Sequence, residues 1–162
     1  MTNIDEIISE HTLFVDSLGE KGSEADLSEL NIKNYNFYKT DLSEIMAIQS
    51  HFLNCTFEKV DLYSANLSNS HFENCIFKEC TLSKTDLYGA AFSKTEFSSS
   101  KLSQANFIKT KLQNCIFKEC DISHSIISES SISETKLIDC SLDGVDLENL
   151  KSTNSISELI VT

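Results

Sequence analysis

Large apolar residues return at every fifth position from Leu27 to Leu147. The series opens Leu27, Ile32, Phe37, Leu42, Ala47, Phe52, and only Ala47 departs from Leu, Ile or Phe. Two places before each centre stands a second register that is mostly small, as at Ala25, Thr40, Ser50, Cys55, Val60 and Ala65. Leu30, Tyr35 and Ile45 are its large members, and Ile45 stands beside the small centre Ala47, where its bulk can fill the volume. A period of five matches neither an α-helix nor a simple two-residue strand alternation. Alternate side chains of extended chain share a face, so positions i−2 and i point one way and the other three point out. A five-residue side followed by a bend buries its centres only if the chain closes on itself.

A longer period gives the number of sides. His51 to Phe57 is echoed by His71 to Phe77, and Asn74 to Cys80 recurs unchanged as Asn114 to Cys120. Sorting the centres by twenty separates them by type. One column reads Phe37, Phe57, Phe77, Phe97, Phe117, Leu137, and the next reads Leu42, Leu62, Leu82, Leu102, Ile122, Leu142. Residues twenty apart therefore stack, four sides make a coil, and residues 25–149 give about six coils in a rod of about 29 Å.

Residues 3–18 read as an amphipathic helix. Ile4, Ile7, Ile8, His11, Phe14, Val15 and Leu18 follow the i, i+3, i+4 rule. Thr2 or Asn3 can cap it, Asp5 and Glu6 suit its positive end, and Gly19 stops it. A solenoid must hide the apolar end of its first coil, and this helix is the expected lid, with His11 at the edge of the core. The chain divides into a capping helix and loop over 1–24, a repeat region over 25–149, and a tail over 150–162. In the tail the register fades at Ser152, and Asn154 to Val161 is short and apolar-rich. It reads either as a second lid or as a seam for a second copy.

The repeat closely resembles the pentapeptide-repeat family, with consensus A(D/N)LXX. The residues that carry the resemblance are Ala25-Asp26-Leu27, Thr40-Asp41-Leu42, Ala65-Asn66-Leu67, Thr85-Asp86-Leu87 and Ala105-Asn106-Phe107. Roughly three quarters of the chain is covered. The start, with Glu10-His11 and Phe14 ahead of Gly19 and Gly22, is similar to the entry of many bacterial members. The resemblance implies a right-handed quadrilateral β-helix, an all-β solenoid. It is specific for fold and unspecific for function, because one scaffold carries many surfaces. It also implies two possibilities: dimerisation through the C-terminal tail, and mimicry of DNA toward a type II topoisomerase such as DNA gyrase.

Composition narrows the chemistry. Proline is absent and there are 4 glycines, which strand-like coils tolerate. All 6 cysteines, from Cys55 to Cys140, fall in the i−2 register and read as small inward packing residues, not as a disulfide framework or zinc site. Reduced thiols suit a cytoplasmic protein. The acidic N-terminus has no basic segment ahead of an apolar run, so no signal peptide is expected. No apolar run reaches membrane length. No nucleophile–base pair, GxxxxGK[ST] or GxGxxG stands out, so no catalysis and no cofactor are expected. His51 and His71 should stack with Glu73 nearby, too few ligands for a metal. Glu58 with Lys78 and Lys59 with Glu79 should pair between coils, and Asn34, Asn54, Asn74 and Asn114 should form an interrupted ladder.

Function is left to the outward positions. The chain carries a formal charge of −12 and no Arg, so direct binding to nucleic acid is not expected. The acids concentrate on two sides. On the Leu27 side Asp26, Glu29, Asp86, Glu129, Asp146 and Glu148 face one base, Lys109. On the Leu42 side Asp41, Glu44, Asp61, Asp121 and Asp143 face Lys84 and Lys101. Duplex DNA of about 29 Å carries about 17 charges, so this ladder is dilute for a mimic. The Leu27 side also shows apolar residues outward: Met46, Ile48, Tyr88, Ile108 and Ile126. A joined apolar patch marks a contact surface. The expectation is a non-catalytic protein-interaction module whose contact residues are Met46, Ile48, Tyr88, Ile108, Ile126, Asp86, Glu129 and Asp146. Its partner is an unidentified protein.

Overall fold

The computed structural model describes residues 3–147 and 159–161. One helix, α1 (Ile4–Asp16), precedes the short strands β1–β13, numbered in chain order. Asn3 caps the helix, accepting the Asp5 N–H at 3.2 Å, and Asp5 and Glu6 occupy the first turn. The helix ends at the Ser17 cap, and Leu18 and Gly19 turn the chain with positive φ. The stop therefore comes two residues before the expected end at 18. The expected use of residues 154–161 as a lid or seam lies outside the described residues, except for 159–161.

Two adjacent sides of each coil are strands. On the Ile32 side β1 (Asn31–Lys33), β3 (His51–Leu53), β5 (His71–Glu73), β7 (Ala91–Ser93), β9 (Lys111–Gln113) and β11 (Ser131–Ser133) form one parallel sheet. On the Phe37 side β2 (Asn36–Tyr38), β4 (Thr56–Glu58), β6 (Ile76–Lys78), β8 (Glu96–Ser98), β10 (Ile116–Lys118) and β12 (Thr135–Ile138) form a second sheet. There β13 (Leu159–Val161) adds to β12 as a further parallel strand. The Leu27 and Leu42 sides are joined by single bridges instead, such as Asp26↔Met46↔Asn66 and Asp41↔Asp61↔Thr81. From β1 to β12 every pairing advances by twenty residues, as in His51↔His71 and Phe57↔Phe77, whereas β13 pairs with β12 24 residues on, as in Thr135↔Leu159. Parallel strands joined this way cross over with a right hand. The result is a right-handed quadrilateral β-helix of about five turns, close to the six coils expected.

The core is the sum of the two inward registers. Every centre from Leu27 to Leu137 is buried, and so is every i−2 residue from Ile45 to Thr135. Ile45 and Ala47 are both buried, the large flank beside the small centre. On the Phe37 side the rings of Phe37, Phe57, Phe77, Phe97 and Phe117 stack face to face at 4.4–4.7 Å. Phe52, Phe72 and Phe92 stack at 4.8 Å on the next side and meet the first column edge-on. Offset and edge contacts of this kind add to the area each ring buries.

The small register also carries hydrogen bonds. Cys55, Cys75, Cys80, Cys115 and Cys140 each donate a thiol to the carbonyl of a centre residue 23 positions back, as Ser50, Thr85 and Ser125 do with hydroxyls. These groups supply partners for buried backbone oxygens that would otherwise be costly. All six cysteines are unpaired. Burial pushes Cys80 and Cys115 up to about 11 and Cys120 up to about 12, so these thiols stay protonated donors.

The helix closes the first coil. Ile4, Ile7 and Ile8 pack on the core, and His11 is 2% exposed. The Ala25 N–H donates to His11 Nδ1 at 3.1 Å, which ties the lid to the first residue of the repeat. The Tyr35 hydroxyl donates to Asp5 at 2.9 Å, and burial together with that carboxylate pushes the phenol up to about 12. The loop crosses the helix so closely at Gly22 that a Cβ there would collide with the Glu10 carbonyl.

Candidate interaction surface

Outward residues are set by the corners. The residue after each i+1 position turns the chain with φ between +48° and +72°, from Glu29 through Asn34, Lys39 and Glu44 to Gly144. From Glu29 to His124 each corner N–H bridges coils, as Glu29 does to the Ile48 carbonyl and Lys39 to the Glu58 carbonyl, both at 2.9 Å. Outward columns are thereby held at the strand spacing, about 4.8 Å per rung. Asn54 donates to Asn34 at 3.0 Å and Asn74 to Asn54 at 3.2 Å, the ladder expected. Lys59 pairs with Glu79 at 3.5 Å, and Lys78 with Glu58 at 3.6 Å.

The acids of the Leu27 and Leu42 sides have a local use that the sequence reading missed. Asp26 accepts the Ser28 N–H, Asp41 that of Ser43, Asp61 that of Tyr63, Asp86 that of Tyr88 and Asp121 that of Ser123, all at 2.8–3.0 Å. Asn66 and Asn106 do the same for Ser68 and Ile108. These are Asx turns, and they favour the turn on the rungs that carry them. Hydrogen bonds from Ser28 hold the Asp26 carboxyl below the usual carboxylate range. The signal was in the sequence: Asp or Asn at i−1 is frequent on these sides and scarce on the strand sides.

The candidate contact residues divide into two groups. Tyr88 and Ile108 share one column on neighbouring rungs, and Ile126 follows Asn106 in the adjoining column. Ile126 is 56% exposed and Tyr88 37% exposed. Lys109 caps this cluster, with Nζ donating to the Tyr88 hydroxyl at 3.0 Å and lying 5.4 Å from its ring centroid. Glu129 pairs with Lys109 at 3.7 Å, and Asp86 accepts the Asn106 amide at 2.9 Å. Asp146 is exposed beyond this cluster. Met46 and the half-buried Ile48 stand apart, separated by the rung of Asn66 and the covered Ser68. Among the described residues, no three His, Cys, Asp or Glu side chains converge as a metal site.

Comparison with known proteins agrees with this geometry. A model of the pentapeptide repeat region matches residues 70–147, and a model of eight pentapeptide repeats matches residues 47–78. No curated protein sequence matches the chain. The crystal structure of HetL is similar in fold, with a TM-score of 0.56 at 19% identity over 78% of this chain and 68% of that one. HetL is a pentapeptide repeat protein involved in heterocyst differentiation regulation in the cyanobacterium Nostoc. A trypsin-treated QnrB1, a plasmid-mediated fluoroquinolone resistance protein, aligns at 19% identity over 82% of this chain and 91% of that one, with a TM-score of 0.38. The twenty-residue register, the four-sided coil and the two family matches together make this chain a member of the pentapeptide-repeat family.

Proposed function

We propose that the protein is a non-catalytic interaction module that binds a partner protein through the Leu27 side. The observation that carries this reading is that Tyr88, Ile108 and Ile126 stand on three successive rungs of one side, with Lys109, Glu129 and Asp86 beside them. An apolar centre with a polar rim is the anatomy of a protein contact, and tyrosine is a frequent anchor. Met46 and Ile48 extend the same side toward the N-terminal end. We place the protein in the cytoplasm, where its thiols stay reduced.

Mimicry of DNA is the weaker reading. Five of the acids that would represent phosphates serve as Asx-turn acceptors, and Met46, Asn66, Asn106 and Ile126 interrupt the column on the Leu27 side. A pull-down from native extract with Tyr88→Lys tests the first reading. The variant should lose its partner at least about fivefold, the effect of losing a contact worth about 1 kcal/mol. Retention of every partner by Tyr88→Lys would sink it. A gyrase supercoiling assay tests the second reading, and no effect of the protein is the outcome that agrees with the first.

A further inference from the structure

The Ile32 side differs in sign from the acidic sides. Lys33, His51, His71 and Lys111 mark the first, second, third and fifth rungs, and Glu73 is the one acid facing outward on β1, β3, β5, β7 and β9. The outward residues of β1, β3, β5, β7 and β9 line an open groove of about 330 Å³ that runs from Asn31 and Lys33 to Lys111 and Gln113. The short Ala91 and Ser93 lie between His71 and Glu73 on one rung and Lys111 and Gln113 on another. The rings of His51 and His71 stack 4.5 Å apart. Among the described residues Lys33 and Lys111 form no ion pair.

We propose that this stripe is a docking groove for an extended acidic peptide segment, laid along the rod axis with its carboxylates on Lys111, the histidine pair and Lys33. Lys33 and Lys111 stand four rung spacings apart, about 19 Å, which an extended chain covers in about six residues. Their spread along the axis is what selects a peptide. A lone phosphate needs donors that converge on one point, and these do not. A duplex would bring one charge per roughly 1.7 Å onto a molecule that is itself strongly acidic. Glu73 opposes a carboxylate beside it, so on that rung the acidic side chain of the segment turns to the column of His51, His71 and Lys111. This groove is independent of the Tyr88 cluster and survives if that cluster binds nothing.

Docking should take up a proton. Burial first, then His51 and Lys111, hold His71 below the ordinary imidazole range. The charged groups facing His71 are His51 on β3, Glu73 beside it on β5, and Lys111 on β9, with Lys33 farther up the stripe. A carboxylate laid against the ring favours the imidazolium, so affinity rises as pH falls through the imidazole range.

Fluorescence anisotropy of labelled hexaglutamate with the full chain tests this, at about pH 6 and about pH 8. Saturable binding, tighter at the lower pH, is the expected result. Lys111→Glu should weaken it by roughly fivefold, and Lys136→Glu on the Phe37 side should leave it unchanged. Both positions are outward, and circular dichroism confirms that each variant keeps its β signal; Lys111→Gln gives the same readout if the reversed charge disturbs folding. The proposal is overturned by absence of saturable binding, by affinity that ignores pH, or by equal loss from Lys136→Glu. Displacement by inorganic phosphate at matched charge overturns it in favour of a small-anion site. Tighter binding of a duplex oligonucleotide overturns it in favour of nucleic acid.

Discussion

Apart from Gly89 and Gly144, every corner from Glu29 onward places a residue with a Cβ at positive φ. Such a residue costs about 1–2 kcal/mol in the left-handed region, and asparagine tolerates it best. From Glu29 to His124 the inter-coil hydrogen bond of the corner N–H offsets part of that cost. Lys94, at φ +51°, stands where Asn34, Asn54 and Asn74 occupy the rungs above. Lys94→Asn should relieve the corner and extend the ladder, stabilising the fold by about 1 kcal/mol in urea titration. A midpoint that falls would show that the corner carries no strain. The Asx turns make a second prediction. The Asp26 carboxyl is held low when folded, so its contribution is present above the unfolded carboxylate range and is lost as pH falls through the folded value. Melting temperature followed from neutral to about pH 3 should therefore fall less steeply for Asp26→Asn than for the parent. The same slope in both would remove Asp26 from the acid response. The acids themselves were legible in the sequence, but their turn role was not. A carboxylate at i−1 looks the same whether it caps a turn or faces a partner, and only the backbone geometry separates the two.

At the scale of the element, the sorting of centres into Phe and Leu columns reported four sides but not that the sides come in two kinds. Phenylalanine sits mainly on the strand sides and leucine mainly on the turn sides. The reason is visible in the rings, which stack flat along β2, β4, β6, β8 and β10 and fit edge-on against the neighbouring sheet. The trade of volume between Ile45 and Ala47 was legible, because both registers point inward and one large flank stands beside the one small centre. Ile45→Ala should cost about 2–5 kcal/mol and Ala47→Leu about 1–3 kcal/mol. Together they restore most of the volume, so the double variant should be more stable than the sum of the two losses by at least about 0.5 kcal/mol. Strict additivity in a double-mutant cycle would mean that the two side chains do not share one space. The cap was legible from its periodicity, but its fastening was not. The bonds from Ala25 to His11 and from Tyr35 to Asp5 join residues 14 and 30 apart, and no local pattern signals them.

For the whole molecule, the solenoid separates structure from function by direction. Inward registers are committed to packing and to the carbonyls of the preceding coil, and the corners fix where every outward column lies. The outward columns carry an acidic pair of sides, exposed apolar residues on one of them, and Lys33, His51, His71 and Lys111 on the Ile32 side. The fold could be read from the sequence because a period of twenty admits one closure. How far each outward residue is exposed was not legible, because exposure depends on what neighbours cover. Ser68 breaks the column between Ile48 and Tyr88 already in the sequence, and the structure buries it. The most direct test is site-specific photo-crosslinking in native cells, with a benzophenone side chain placed at Ile108 or at Ile76. Ile76 is exposed on the Phe37 side without a joined apolar neighbour, since Glu96 separates it from Ile116. Adducts with a protein partner from position 108 and none from position 76 are the result this account predicts. Adducts from 76 with none from 108 would contradict it.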